Sequence, residues 1–127
     1  MAIKVLIVDD SKLARIVAAK ALGTLQPEWD RVEAGNADEA LARLAGGGID
    51  VALLDYNMPG RDGLVLATEI RALYPDMPIA IITANAQDEV IERARAANAA
   101  FVMKPVTTES LRAFVSGAAL RLRSAAR

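Results

Sequence analysis

The sequence predicts a doubly wound α/β fold, in which a parallel sheet is covered by helices on both faces. Two kinds of segment alternate along the 127 residues: short apolar runs rich in Val, Ile and Leu, and longer stretches whose apolar residues recur with helical period. The apolar runs are continuous rather than interrupted by polar residues, a pattern typical of strands buried on both faces. Because helical stretches separate the runs, we expect parallel pairing through right-handed crossovers.

Five segments are predicted to form strands, four with strong signals and one with a weak signal. The strong signals are the sequences IKVLIV, VALL, IAII and AFVM, and the weak one is WDRVEA. Residues typical of helix starts and turns lie at the junctions, among them Ser11, Asn36, Pro59 and Gly60. We expect a single domain over residues 1–127 with no output domain. The predicted strands are 3–8, 29–34, 51–54, 79–82 and 100–103.

The composition excludes several classes of function. The chain has no Cys and no His, so it has no disulfide, no thiol nucleophile, no His-bound zinc and no phosphohistidine of its own. Its formal net charge of −1 gives no electrostatic reason to expect nucleic acid or an anionic membrane as a partner. No apolar run approaches the ~20 residues of a membrane span, and the N-terminus lacks signal-peptide features. We expect a soluble, cytoplasmic protein.

The three consecutive glycines at 46–48 have two possible interpretations. Glycine-rich loops bind phosphate where a strand leads into a helix. Here the glycines follow the helical sequence ADEALARLA and precede a strand, which is the wrong side of a helix for such a loop. We favour a helix C-cap followed by a turn.

Polar residues end the predicted strands, at the sheet edge where open parallel folds bind ligands. The first strand ends in Asp9 and Asp10, and the third ends in Asp55. The fourth strand ends in Thr83, and the fifth leads into Lys104 and Pro105. Three carboxylates in a partly desolvated cleft repel one another unless a cation lies among them, and oxygen ligands without His or Cys favour Mg²⁺ or Mn²⁺. Such a cleft could receive a phosphoryl group, with Asp55 as nucleophile.

The loop after the third strand supports a site rather than an ordinary connection. A single Asp at a strand end is more often a turn or helix-capping residue than a catalyst. That interpretation leaves the acidic pair, the hydroxyl and the ammonium at the other strand ends unexplained. The turn-forming residues after Asp55 would fold a tight loop that exposes its carboxylate. They are Asn57, Pro59, Gly60 and Gly63.

The segments VLIVDDS, LLDYNMPGRDG, IITAN and FVMKPV resemble the signature segments of the receiver domain of two-component response regulators, the CheY-like family. The resemblance covers the whole chain. It implies a flavodoxin-like sheet of five parallel strands in the order 2-1-3-4-5, flanked by five helices. It also implies a phosphorelay function without conventional enzymatic turnover. Asp55 would accept a phosphoryl group from the phosphohistidine of a sensor histidine kinase or a histidine phosphotransfer protein, which would switch protein–protein interactions.

The resemblance implies which residues hold the metal ion. Asp10, Asp55 and the backbone carbonyl of Asn57 would bind Mg²⁺, with Mn²⁺ as a possible substitute. Asp9 would act mainly through bound water. Asn57 and Asn85 match the positions that tune the lifetime of the acyl phosphate in the family.

The resemblance also implies a set of phosphoryl donors and a conformational switch. Lys104 would pair with Asp55 before transfer and with the phosphoryl oxygens afterwards, and Thr83 would donate its hydroxyl to another of these oxygens. Phe101 matches the family's aromatic switch position, with ordinary core packing as the alternative. Pro105 would follow a cis peptide bond that aims the lysine.

Two surfaces and two rival functions follow from these expectations. The apolar arc at 13–17 is either core or a docking site for a kinase or phosphotransfer protein. The regulated target would bind a second surface, formed by the helix near 87–97, the fifth strand and the last helix. One rival is a phosphatase or mutase with an aspartyl nucleophile, which would need a second Asp where this chain has Asn57. The other is a phosphorylation-independent binding module. The chain could also be an excised receiver of a longer regulator or hybrid kinase.

Overall fold

Five strands and five helices alternate along the chain in the structure, a computed structural model that describes residues 3–84 and 87–125. The strands are β1 Lys4–Val8, β2 Asp30–Ala34, β3 Val51–Asp55, β4 Ile79–Thr83 and β5 Ala100–Met103. The helices are α1 Lys12–Leu25, α2 Ala37–Ala45, α3 Gly63–Leu73, α4 Asp88–Ala96 and α5 Thr108–Ala125.

All strand pairs are parallel, and the sheet order is β2-β1-β3-β4-β5, which confirms the predicted fold. Asp55 and Thr83 are the last residues of β3 and β4, one residue beyond the apolar runs 51–54 and 79–82. β2 gave the weakest signal because it is an edge strand whose side chains are mostly exposed and polar.

Side chains alternate along the strands and so divide the core into two layers. Leu6, Leu54 and Ile81 lie on the face covered by α2, α3 and α4. Ile7 and Leu53 lie on the face covered by α1 and α5. Every residue of β3 and β4 is buried, which accounts for their uninterrupted apolar sequences.

Capping residues begin α1 and α2, and end α2, where the sequence predicted them. The side chain of Ser11 accepts a hydrogen bond from the Ala14 amide at 3.2 Å, and Asn36 caps α2 in the same way. Gly46 is the C-cap of α2, and the next two glycines have φ values of 81° and 85°, so the C-cap interpretation of residues 46–48 is confirmed.

Among the helices of the described residues, none combines the length and the apolar character that a membrane span requires.

The loop from β3 to α3 folds back against the strand that it leaves. The Gly63 amide donates a 3.0 Å hydrogen bond to the carbonyl of Tyr56, and Gly60 turns the chain with φ of 83°. A Cβ atom at Gly63 would overlap the carbonyl oxygen of Asp55 and lie 2.9 Å from its carbonyl carbon. Gly63 is therefore required by close packing against the backbone of Asp55, whereas Gly60 is required by its φ angle.

We predict opposite effects of alanine at two helical glycines. Gly63→Ala should lower the free energy of unfolding by roughly 1–3 kcal/mol, because the new methyl group overlaps backbone that cannot rotate away. Gly117→Ala, in α5 with no atom within 4 Å of the added Cβ, should raise it by about 0.5–1 kcal/mol. Urea unfolding followed by circular dichroism measures both. Equal stability of Gly63→Ala and the unsubstituted protein would show that the loop can shift.

Candidate functional site

Three carboxylates meet at the carboxyl edge of the sheet, as the strand order requires. Asp9 and Asp10 follow β1, and Asp55 ends the neighbouring β3. One oxygen from each carboxylate lies within 4.8 Å of the other two. The Asp9 and Asp55 side chains are buried, whereas Asp10 is exposed. The structure thus brings together the acidic residues that the sequence predicted to converge.

Lys104 adds a positive charge to this acidic cluster. Its Nζ lies 2.8 Å from Oδ1 of Asp55, and its backbone amide donates a 2.9 Å hydrogen bond to the carbonyl of Thr83. Among the described residues, this ammonium is the only partner of the buried Oδ1. Burial alone would lower the pKa of Lys104, but the contact with Asp55 and the charges of Asp9 and Asp10 together raise it.

Burial and like charges make the ionised form of Asp9 unfavourable. Burial is the largest cause that raises its pKa, and the charges of Asp55 and Asp10 act in the same direction. The amide of Ser11, which donates a 2.9 Å hydrogen bond to Oδ1, and the charge of Lys104 oppose this shift. The cluster therefore carries more negative charge than the lysine offsets.

The cluster fits a hard divalent cation. Its ligand atoms are carboxylate oxygens, which suit Mg²⁺ and Mn²⁺, and the buried Oδ1 of Asp55 contacts only the Lys104 ammonium among the described residues. A cation would also offset the repulsion that raises the pKa of Asp9.

The surroundings of the other predicted site residues differ, and one of these residues lies outside the described part of the chain. Thr83 ends β4 with a fully buried side chain, and Asn57 is exposed in the loop after Asp55. The Lys104–Pro105 peptide bond is cis, as the resemblance implied. Phe101 is half-buried on β5. Asn85 lies outside the described residues.

The apolar arc on α1 is surface rather than core. Leu13 is 71% exposed, Ile16 49% and Val17 42%. Leu13 and Val17 line a cavity of about 260 Å³ that continues to Lys104 and Pro105. The alternative that these side chains belong to the core is therefore wrong, and their role as a docking site stays a prediction.

Two arginines that the sequence patterns did not indicate stabilise the loops of the site. Arg61 donates hydrogen bonds of 2.8 and 2.7 Å to Glu69 and one of 2.7 Å to Asp38, so it ties the loop after Asp55 to α3 and α2. Arg15 contacts the loop that carries the acidic pair. Their partners are not sequence neighbours in helical register, so no local pattern marks them.

Comparison with known proteins identifies the family. The family model of the response regulator receiver domain matches residues 5–116. The chain belongs to this family. Receiver domains are signalling modules of two-component systems that use Mg²⁺ at an acidic pocket and interact with histidine kinases and phosphotransfer proteins.

The relatives of this receiver domain include single-domain and longer proteins. Chemotaxis protein CheY of Pseudomonas aeruginosa is 35% identical over 112 residues, which cover 86% of this chain and 90% of that protein. The cyclic di-GMP phosphodiesterase response regulator RpfG of Xanthomonas campestris is 34% identical over 116 residues, or 89% of this chain. Those residues span only 31% of RpfG.

Solved structures support the same assignment. CheY4 of Vibrio cholerae superposes with a TM-score of 0.84 at 27% identity, over 93% of this chain and 99% of that one. A CheY-like receiver domain protein from Methanospirillum hungatei superposes with a TM-score of 0.86 at 25% identity, over 98% of this chain and 99% of that one. The likeness therefore extends over almost the whole fold.

We predict that Asp9→Asn stabilises the metal-free receiver at neutral pH. The substitution removes a buried negative charge and keeps an oxygen for the Ser11 amide. The pKa of Asp9 is raised in the folded state, so the folded protein binds the Asp9 proton more tightly than the unfolded chain does. The stability that this proton contributes is fully present below the ordinary pKa of 3.8, and it is lost as pH rises through the folded-state pKa. The melting temperature should rise by about 3 °C near neutral pH, corresponding to a little under 1 kcal/mol for a domain of this size.

The gain should disappear as the pH falls toward 3.8, which melting curves in EDTA over a pH series measure. Asp76→Asn, at an exposed position before β4 on the opposite edge, is the matched control and should change little. A gain for Asp9→Asn that is independent of pH would contradict the electrostatic explanation.

Proposed function

We propose that Asp55 is a phospho-acceptor that takes a phosphoryl group from the phosphohistidine of a histidine kinase or histidine phosphotransfer protein, and that phosphorylation switches the protein's contacts. The observation that carries this proposal is the 2.8 Å ion pair between Lys104 and the buried Asp55, beside two further carboxylates. Membership of the receiver family supports it.

In the transfer step, a carboxylate oxygen of Asp55 attacks phosphorus and forms an acyl phosphate. The P–N bond of the donor breaks, and the imidazole leaves with its electron pair. Lys104 orients the carboxylate beforehand and then binds a phosphoryl oxygen, while the Thr83 hydroxyl donates to another. The backbones of these two residues are adjacent, since the Lys104 amide donates a hydrogen bond to the Thr83 carbonyl, which supports a joint role.

The metal ion in this proposal is Mg²⁺, with Mn²⁺ as a substitute. Asp10, Asp55 and the carbonyl of Asn57 would bind it directly, and Asp9 through water. When bound, the ion would neutralise the carboxylates and the oxygens of the phosphoryl group. Asn57 is exposed in the loop, so it could also affect access of water to the acyl phosphate, together with Asn85.

The proposed switch couples Thr83 to Phe101. In the register of β4 with β5, Thr83 pairs with Met103 and Ile81 pairs with Phe101, so the side chains of Thr83 and Phe101 lie on the same face of the sheet. Movement of Thr83 toward a phosphoryl group would free space on this face for Phe101. Phe101 also lines a cavity of about 420 Å³ with residues of α4 and α5, so its movement would alter the proposed target surface.

The end of α4 is anchored, which limits where this change can occur. Arg71 of α3 donates hydrogen bonds of 3.1 Å to the carbonyl of Ala97 and 2.9 Å to that of Asn98. The C-terminal end of α4 is thereby fixed to α3. The proposed rearrangement therefore involves the other end of α4, which follows Thr83 in the chain.

The exposed arc of α1 is the proposed docking site for the phosphoryl donor. Leu13 and Val17 border the same cavity as Lys104 and Pro105, so a helix placed there would lie beside the acceptor site. The partners in this proposal are proteins, and the formal net charge of −1 gives no electrostatic support for nucleic acid.

Two other functions have less support. Phosphatases that use an aspartyl nucleophile need an acid or base two residues later, where this receiver has Asn57, so we propose no enzymatic turnover. A phosphorylation-independent binding module would not require a buried carboxylate paired with a lysine, which is costly to bury.

We predict that incubation with Mg²⁺ and acetyl phosphate adds one phosphoryl group to the protein, detected by intact mass. Asp55→Asn should abolish the adduct because the amide is not a nucleophile at phosphorus. Asp50→Asn, at the opposite edge before β3, is the control and should retain it. No adduct on the unsubstituted protein would refute the phospho-acceptor function, and an adduct that persists in Asp55→Asn would place the acceptor elsewhere.

We also predict that Phe101→Ala leaves phosphorylation unchanged but reduces the structural response. Amide chemical shifts of residues 88–103, recorded with and without the acyl-phosphate mimic beryllofluoride, should change at least about twofold less than in the unsubstituted protein. This corresponds to a loss of part of a coupling energy of about 1–3 kcal/mol. Phe114→Ala, a half-buried aromatic packed on the opposite core layer, is the matched control. An undiminished response would remove Phe101 from the switch.

A further inference from the structure

Arg15 joins three elements around the acidic loop. It lies in the first turn of α1, and its side chain is only 17% exposed. Nη1 donates a 2.7 Å hydrogen bond to the backbone carbonyl of Asp9, and Nε donates a 2.8 Å hydrogen bond to Oε1 of Glu33 on β2. The guanidinium therefore spans from α1 to the end of β1 and to β2.

The Asp9 residue is held at every polar atom of its backbone and at one carboxylate oxygen. Its amide donates a 3.1 Å hydrogen bond to the carbonyl of Ala34, and its Oδ1 accepts from the Ser11 amide at 2.9 Å. The contact from Arg15 supplies the remaining partner, at the carbonyl. That carbonyl belongs to the peptide group that links Asp9 to Asp10, so Arg15 fixes the plane of this peptide.

Asp10 depends on this peptide for its direction. Its side chain is exposed and has neither a hydrogen bond nor an ion pair with the residues that the structure describes. A carboxylate without side-chain partners is aimed only by its backbone and its rotamer. The orientation of the Asp9–Asp10 peptide therefore decides how well the Asp10 oxygens reach the point shared with Asp9 and Asp55.

We infer that Arg15 is a positioning residue for the metal site, which sets the Mg²⁺ affinity by holding the Asp9 carbonyl and thereby orienting Asp10. The inference rests on the proposed function, in which Asp10 binds the ion. Glu33 contributes by fixing the guanidinium of Arg15, because a charge-assisted hydrogen bond restricts this planar group to one orientation. Loss of such an outer contact typically weakens metal binding by roughly 10- to 100-fold.

The chemistry of arginine is needed for this role. Its planar fork donates to the Asp9 carbonyl and to Glu33 at the same time, through Nη1 and Nε. A lysine has one ammonium on a flexible stem and cannot reproduce both directions. Arg15→Lys should therefore restore only part of what Arg15→Gln loses.

The test compares Mg²⁺ binding by isothermal titration calorimetry in the unphosphorylated protein. Arg15→Gln should bind Mg²⁺ about 10-fold more weakly, with Arg15→Lys between it and the unsubstituted protein. Arg31→Gln is the matched control, because Arg31 also links β2 to α1 through a backbone carbonyl, that of Ala19 at 3.3 Å, away from the acidic loop. Its Mg²⁺ affinity should not change.

A double-mutant cycle with Glu33→Gln separates positioning from general loosening. Glu33→Gln should weaken Mg²⁺ binding in the presence of Arg15 and have no further effect in Arg15→Gln, because Glu33 acts only through the guanidinium. If Arg15→Gln does not fold, Arg15→Lys and Glu33→Gln carry the comparison. Additive effects, an unchanged affinity in these variants, or equal weakening in Arg31→Gln would each overturn the inference.

Phosphorylation by acetyl phosphate over a Mg²⁺ series provides a second readout. Arg15→Gln should raise the half-saturating Mg²⁺ concentration about 10-fold, while its rate at saturating Mg²⁺ approaches that of the unsubstituted protein. A reduced saturating rate with an unchanged half-saturating concentration would overturn the inference. Failure of the unsubstituted protein to bind Mg²⁺ would instead overturn the proposed function, and the inference with it, before any variant is compared.

Discussion

The ion pair between Lys104 and Asp55 is the interaction on which the rest of the site depends. Asp55 ends a strand whose other residues are buried and apolar, and only 4% of its side chain is exposed. An isolated carboxylate in such surroundings costs several kcal/mol, so the charge is tolerable only with a close cation. Parallel pairing of β4 with β5 supplies that cation, since the Lys104 amide continues the ladder to Thr83. The sheet thus places a reactive charge where it is both shielded from water and paired.

Topology explains why so much of the fold and the site could be predicted from sequence. In a parallel sheet all carboxyl ends lie at one edge, so the identity of a strand's last residue also gives its place in the structure. Asp55 and Thr83, which end their strands, and Asp9, which follows β1, were predicted to meet on this basis. The buried strands β3 and β4 were clear because both of their faces are covered, whereas β2 was weak because its exposed edge selects polar residues.

Contacts made by long side chains could not be predicted in the same way. Arg15 meets Glu33 across 18 residues and Arg61 meets Asp38 across 23, and both contacts depend on the rotamers of flexible side chains. Nothing in helical or strand periodicity distinguishes these arginines from solvated ones. Gly63 is similar, since its sequence context suggests a turn, but the reason for glycine is the approach of the Asp55 carbonyl. These contacts could be identified only from the folded structure.

The sheet separates the two surfaces of the proposed function, and the acceptor edge is where they meet. Lys104 lines the cavity beside α1, together with Leu13, whereas Thr83 shares the opposite face with Phe101. A change on one face does not pass easily through a close-packed apolar core. In the proposed function, a phosphoryl group on Asp55 would contact Lys104 and Thr83 at once. A phosphoryl group transferred by a partner bound at α1 would therefore change the contacts of Thr83 on the face that also carries Phe101. A coupling of about 1–3 kcal/mol would then suffice to shift populations without rebuilding the core.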